Sequence, residues 1–480
     1  MTVTLVGIVT AVVAGVGPLS SPRAAEAAPD PVAAQAAELA ADWLTGQLVD
    51  GGLPGFAGTD WGLTIDALFA LQATGTQPAA VTQITEAVAA NGDGYAVFRD
   101  GDLAYRDGGS TAKVLAAAAA GGEDGTDFGG DNWRQRTLDL VFGAEDGPMN
   151  GWLHDDYAGS LMGENMFGQS LAVLGLARSG GVPQPVVDFL VTQQCPGGGF
   201  RLYPGAGGTS CAEDPEDNRI PDVDTTGMVV QALIAAERAG ATGTSEPVAA
   251  ATDWLRSVQA ENGSFNGSVV TDYPNTNSTG LGGQALAAAG DTDAAGNAAE
   301  FVVAQQLTAA NGGAAAAHAG AIAYTPESFA SAVASGIEEF ALDQWRRATT
   351  QAILGLTQVP LGEIGADDGT GPTPTASPTG SATPSPTVSA TSSGGPSQSP
   401  TGNPSQTPSS TPGPSGSVTA TPTSAPATTT APPNGAGGNL PTTGLSIVTF
   451  SVVGLGTVGG GIALMLLTRR RRDDAAAGRG

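Results

Sequence analysis

Carboxylates gather where helices are predicted to begin: Asp60, Asp66, Asp155, Asp156, Glu164 and Asp224. Two of them facing one another across a cleft, about 5–10 Å apart, would suffice for cleaving a polysaccharide. Trp61, Trp152, Tyr157, Phe200, Tyr203 and Tyr273 lie in the same loops and could stack on sugar rings or line an apolar pocket. The bland reading is equally concrete. The chain holds 46 acids, so several fall near helix starts by chance, and loop aromatics commonly pack against the rim of their own fold.

The sharpest local motif holds Asp222 and Asp224, in Pro221-Asp222-Val223-Asp224-Thr225-Thr226-Gly227. The whole pattern returns 53 residues later as Pro274-Asn275-Thr276-Asn277-Ser278-Thr279-Gly280. Asn stands at both acid positions of that copy and cannot act as a general acid. What the copies share is a short side-chain acceptor ahead of a helix, which is N-capping chemistry at about 1 kcal/mol per helix. Asp224 therefore has three readings: cap or loop structure, general acid, and ligand hydrogen bonding. With Trp61, Trp152, Phe200, Tyr273 and Asn277 it makes up the candidate ligand-binding set. The catalytic set is empty, save Asp224 and Asp222 under the acid reading.

The elements that must position these residues repeat. Six Ala- and Leu-rich segments share one register, as in Leu63-Thr64-Ile65-Asp66-Ala67-Leu68 and Gly280-Leu281-Gly282-Gly283-Gln284-Ala285-Leu286. Their polar markers fall at 66, 113, 169, 231, 284 and 351. A second helix is predicted before each, at 33–49, 79–90, 133–142, 184–194, 246–259 and 294–307. Several of these carry a late apolar pair, such as Trp43-Leu44 and Trp254-Leu255. Gly-rich loops join the two helices of a pair, as in Gly197-Gly198-Gly199-Phe200 and Asn262-Gly263-Ser264-Phe265. Six such hairpins cannot each bury an apolar face alone, but stacked they can. The expectation is an all-α α6/α6 toroid over 28–364, marker helices inside. An open superhelix is the alternative.

The Gly-Gly-Phe loops and Gln-Ala-Leu helices resemble the prenyltransferase and squalene-cyclase repeat superfamily over most of residues 33–358. That resemblance implies an α/α toroid whose relatives include terpenoid cyclases, protein prenyltransferase β-subunits and cobalamin carriers. Asp222-Val223-Asp224-Thr225 is similar to the cyclase DxDD motif, whose middle Asp, Asp224 here, would protonate an alkene. Thr225 replaces its last Asp. The prenyltransferase zinc site of Asp, Cys and His has no counterpart. A fold shared by such different activities decides little about function.

Both ends of the chain carry addresses. Leu440-Pro441-Thr442-Thr443-Gly444 is followed by an uncharged apolar run over 445–467, long enough to cross a bilayer, and then by a basic tail, 468–480, with Arg469-Arg470-Arg471-Arg472. This resembles the sorting signal of Gram-positive surface proteins. The resemblance implies sortase cleavage between Thr443 and Gly444, transfer to a peptidoglycan precursor, and a transient membrane anchor before sorting. At the other end, an apolar stretch over 5–16 and Ala25-Glu26-Ala27 read as a signal peptide over 1–27. No Lys or Arg precedes the stretch, which points to a start codon upstream or an atypical signal. Residues 365–439 are Pro-, Ser- and Thr-rich, with no aromatic residue and no charge after Asp368. Such a segment cannot offset its chain entropy by burial and reads as a stalk, reaching on the order of 200 Å as polyproline II.

A formal charge of −28, with a single Lys and five of the arginines in the tail, excludes nucleic acid as a partner of the exported part. Two Cys in an exported chain predict one disulfide, Cys195–Cys211, worth roughly 3 kcal/mol for its loop length. His154 and His318 stand at no zinc-ligand spacing from them, so no metal is expected. Two oxygen-rich loops, 123–127 and 213–218, leave calcium as a weak possibility without an EF-hand pattern. The chain therefore reads as a wall-anchored surface protein displaying a non-catalytic binding or adhesion ring for a glycan, a lipid-like molecule or a protein. An extracellular glycoside hydrolase or lyase is the alternative, and a terpenoid-cyclase-like enzyme a remote one.

Overall fold

A computed structural model describes residues 30–55, 58–267 and 271–366. The expected signal peptide, the expected stalk beyond Ala366, the LPTTG motif, the apolar run and the basic tail lie outside these residues. Among the described residues no helix is long and apolar enough to cross a membrane.

The helices come in pairs: α1 (Pro31–Thr45) and α2 (Trp61–Thr74), α3 (Pro78–Ala96) and α4 (Gly108–Ala120), α5 (Trp133–Leu138) and α6 (Met166–Arg178), α7 (Gln184–Thr192) and α8 (Val223–Arg238), α9 (Ser245–Val258) and α10 (Thr276–Ala288). The sixth pair is α11 (Thr292–Ala304) and α13 (Leu342–Thr357), with an extra helix, α12 (Pro326–Ser335), between them. The second helix of every pair packs on the second helix of the next, and α13 packs on α2, so the ring closes. The open superhelix is thereby set aside. The first helices flank this inner ring, and α1 touches α11, α13 and α2 at the seam.

Composition explains the layering. Inner helices are buried nearly all round, as in α10 from Thr276 to Leu286. A helix apolar or small on every side belongs in an interior. Small residues let the inner helices approach closely: a Cβ on Gly280 would sit 2.5 Å from the Gln351 carbonyl oxygen of α13. Outer helices bury one stripe, as α9 does through Ala251, Thr252 and Leu255.

The pairs are latched by glutamines that the sequence reading did not single out. Gln194 Nε2 donates to the Gly198 and Pro247 carbonyls at 2.7 and 2.8 Å. Gln259 does the same to Gly263 and Ala294, at 3.1 and 2.9 Å. Gln306 reaches Gly320 at 3.1 Å and Ala36 of α1 at 2.7 Å, closing the outer layer. The glycines in these loops are required: Gly263 has φ +83°, and a Cβ there would lie 2.0 Å from the Asn297 carbonyl oxygen. Gln306→Leu takes its donor from the Gly320 carbonyl and the second bond from the Ala36 carbonyl, which keeps its helical partner in α1, and should cost about 1–3 kcal/mol. Urea unfolding of the variant checks this, and a cost below about 0.5 kcal/mol would mean that water replaces the latch.

Two features depart from the all-α expectation. Four short strands, β3 (Val97–Asp100), β4 (Leu103–Arg106), β5 (His154–Tyr157) and β6 (Ser160–Gly163), form one antiparallel sheet in that order, after the two-residue pair β1 (Pro54–Gly55) and β2 (Gly58–Thr59). A last short pair, β7 (Phe265–Asn266) and β8 (Pro274–Asn275), precedes α10. In addition α5 ends at Leu138 rather than near residue 142, giving way to a 3-10 turn at Ala144–Met149. The expected disulfide, Cys195–Cys211, forms in the α7–α8 loop. Arg201, 2% exposed, braces that loop by donating to Gln193 Oε1 at 2.9 Å and pairing with Asp214.

Candidate functional site

Five of the six inner helices begin on a side-chain cap. Asp60 accepts from Leu63 N at 2.9 Å, Asp107 from Ser110 N at 2.6 Å, Asn165 from Phe167 N at 2.9 Å, Asp222 from Thr225 N at 2.7 Å and Asn275 from Ser278 N at 2.8 Å. Capping is thus the role of Asp222 and Asn275 in this structure. A threonine one turn into four inner helices holds the preceding loop by its backbone: Thr226 Oγ1 accepts from Phe200 N at 2.8 Å and Thr279 Oγ1 from Phe265 N at 2.9 Å, with Thr64 and Thr349 doing likewise.

The two ends of the ring differ. At the C-terminal ends of the inner helices, residues 358–366 cross the mouth as a strap. The Val359 carbonyl accepts from Gln284 Nε2 at 2.6 Å, and Leu361 N donates to Gln231 Oε1 at 2.8 Å. Glu363 pairs with Arg238, and the Ile364 carbonyl accepts from Arg178. The strap thus ties α6, α8 and α10 together. Beneath it lies a small cleft, partly open to solvent and with room for about one water, lined by Phe69, Ala116, Leu171, Leu174, Arg178 and Leu361.

The N-terminal ends hold the chemistry, in three neighbourhoods. Between α8 and α10 lie Asp224 and Asn277, 5% and 1% exposed. Among the described residues Asp224 Oδ1 and both amide atoms of Asn277 have no hydrogen-bond partner. Burial first, and the Asp222 charge second, push Asp224 up to about 7, against a hydrogen bond from Ser278. Asp222 is likewise raised by burial. Thr225, which stands where the cyclase motif has its last Asp, turns its hydroxyl to Asp222 at 2.8 Å and does not support Asp224. Tyr273 and Tyr324 pack edge to face nearby, centroids 6.1 Å apart, and Asp224's charge reaches Tyr324.

Between α4 and α6 stand Asp107, Asp155 and Glu164. Asp155 Oδ1 accepts from Gly108 N at 2.8 Å and its Oδ2 from the Tyr157 hydroxyl at 3.3 Å. Burial, then the Asp107 charge, raise Asp155 to about 6. Burial, then Asp155 and Asp107, raise Glu164 to about 8. Asp107 was not singled out in the sequence: its link to Asp155, 48 residues away, exists only once α4 and β5 meet. Between α13, α2 and α4 lie Asp60, which pairs with Arg347, and Asp66, whose Oδ1 is 2.6 Å from Lys113 Nζ.

The candidate ligand-binding residues divide. Asp224, Asn277 and Tyr273, the last 37% exposed, come together. Trp61 is partly buried against the core. Phe200 is 0% exposed, and Trp152 stacks on Phe189 at 5.0 Å while its indole N–H donates to the Glu164 carbonyl at 2.7 Å. Both rings are core side chains with no face left for a ligand. Asp156 pairs with Arg106 on the outer side of the sheet. In the two oxygen-rich loops, Asp124 accepts from Thr126 N and Oγ1 and Asp214 is held by Arg201. Among the described residues no group of three acids, His or Cys could hold a metal ion.

No family model and no curated protein matches this chain. Solved structures of similar fold include a protein from Actinoplanes, with 16% identity over 68% of this chain and 99% of that one, at a TM-score of 0.47. Another is the type II terpene cyclase MstE from Scytonema, with 12% identity over 68% and 98% at 0.43. A third is protein geranylgeranyltransferase-I from Candida albicans, with 12% over 62% and 83% at 0.41. Likeness at this level does not bear on function, and the ring rests on its own contacts.

Proposed function

We propose that this chain is a surface protein that presents its helical ring, on a Pro/Ser/Thr stalk, as a ligand-binding domain covalently fixed to the cell wall through Thr443. The observation that carries the binding role is the asymmetry of the ring. One end is crossed by the strap of residues 358–366, whereas the other gathers buried polar atoms, Asp224 Oδ1 and the Asn277 amide, that no described residue satisfies. Unsatisfied buried groups cost about 1–3 kcal/mol each, and a bound ligand or water would recover that cost. The wall address is supported by the order of LPTTG, apolar run and basic tail.

The test is expression of the full chain in a Gram-positive host with its sortase. Muramidase should release the chain bearing wall fragments, and deleting residues 440–444 should leave it extractable by detergent alone. Detergent extraction of the intact chain without muramidase would overturn the anchor. Native mass spectrometry of the released protein then reads the binding half as a retained mass.

A polysaccharide hydrolase or lyase is the second reading, favoured by one observation: Asp155 and Glu164 are close enough for their charges to interact, and both are raised. Polysaccharide cleavage by the wild type and not by Glu164→Gln would move the protein to that class.

A further inference from the structure

The small sheet at the rim has two unlike faces. Paired residues share a face, and faces alternate along each strand. Phe98 pairs with Tyr105, and Tyr105 with Tyr157, so these three rings stand on one face in consecutive strands. Their centroids are 5.9 and 5.9 Å apart, a row rather than a cluster. Leu103 and Met162 flank the row, 49% and 55% exposed, and Phe98 is 40% exposed. Asp155 belongs to the same face, paired with Met162, and stands at the inner end of the row with Glu164 and Asp107 near it. The opposite face carries the bases: Arg99 pairs with Asp93 and Arg106 with Asp156. His154 packs there on Phe142.

Size and charge select the occupant. Strands of four residues span about 13 Å and four strands about 14 Å, so the face covers on the order of 200 Å². That is about a quarter of the roughly 800 Å² each partner buries in a stable protein interface. The face carries acids and no unpaired base, so anionic polymers and anionic lipid surfaces are repelled. A row of rings, Phe98 exposed and Tyr105 and Tyr157 half-buried, leading to the half-buried Glu164 fits a small, extended, ring-bearing ligand rich in donors. We propose that this face binds a saccharide, an uncharged or amine-bearing pyranose chain stacking on Phe98, Tyr105 and Tyr157 and donating a hydrogen bond to Glu164, with the buried Asp155 holding the Tyr157 hydroxyl beneath it. The proposal rests on the reading of the ring as a binding domain and names its ligand class.

The test uses the full 480-residue chain in mild detergent and calorimetric titration with three probes: cellohexaose, a glucosamine hexamer and a galacturonate hexamer. Cellohexaose or the glucosamine hexamer should bind and the galacturonate hexamer should not. Phe98→Ala should weaken binding about tenfold with an unchanged melting temperature, because stacking on one exposed ring is lost, and Tyr105→Ala, which removes the half-buried middle ring of the row, should weaken it at least as much. Binding of none of the three, equal binding of the galacturonate hexamer, or unchanged affinity in both variants overturns the proposal. So does a dimer that Phe98→Ala dissolves, which would make the face a protein contact. If no saccharide binds while native mass spectrometry shows a retained adduct, the saccharide proposal falls and the binding ring stands. If neither is seen, both fall.

Discussion

Asp66→Ala should destabilise the ring by about 3–5 kcal/mol, the cost of removing the carboxylate that faces a buried ammonium. Lys113 is the only lysine of the chain and is 1% exposed, on inner helix α4, with its ammonium 2.6 Å from Asp66 of α2. Without the carboxylate the ammonium stays in the ring interior with its main counter-charge gone. The reciprocal change, Lys113→Met, should cost less. Asp66 keeps 27% of its side chain in contact with solvent and can take up a proton instead. Burial already raises its pKa despite the attraction of Lys113, so desolvation outweighs the pairing. For the same reason Asp66→Leu combined with Lys113→Met should recover most of the loss, since an apolar pair of similar size is often neutral or better. Urea unfolding of the three variants measures this, and an Asp66→Ala loss below about 1 kcal/mol would show that Lys113 is adequately held by other groups.

The ring was legible in the sequence because it repeats. Markers at 66, 113, 169, 231, 284 and 351 each fall in an inner helix, and the degenerate copy of Asp222-Val223-Asp224 at Asn275-Thr276-Asn277 pointed to the capping seen at Asp222 and Asn275. What escaped was whatever has no period. Strands of four residues, such as Leu103–Arg106, are too short for alternation to stand out. The strap at 358–366 is recognised by what it touches, Gln231 and Gln284, and its own residues look like the start of a linker. The latches could have been found: Gln194 and Gln259 each stand four residues before a loop glycine, Gly198 and Gly263. Aromatic type alone could not separate Phe200, sealed in the core, from Tyr273, which is exposed.

The stability of the ring should fall as pH rises from 5 to 9, by a few kcal/mol, and Glu164→Gln should remove much of that fall. The sign follows from proton counting. Glu164, Asp224 and Asp155 sit at about 8, 7 and 6 in the folded protein. In the unfolded chain they titrate near about 4. Between those values the folded state holds more protons, so raising the pH favours unfolding. Their contribution is complete below about pH 4 and gone once the pH passes the folded values. Asp93 and Asp156 act oppositely. Hydrogen bonds from Arg99 and Arg106 hold them low, so their contribution is present above about pH 4 and lost in acid. The optimum therefore falls near about pH 5. A tenfold difference in proton affinity between the folded and unfolded chain is worth about 1.4 kcal/mol, but Glu164 is only partly buried and water discounts its share. Denaturant unfolding at pH 5, 7 and 9 tests the profile, and a flat or rising curve in the wild type would rule out the protonated rim. A falling curve has a consequence for binding. At neutral pH Glu164 is largely uncharged and can both donate to and accept from a hydroxyl. Above its pKa it becomes an anion beside Asp155 and Asp107, and the same rim should then accept from a hydroxyl but no longer donate to one.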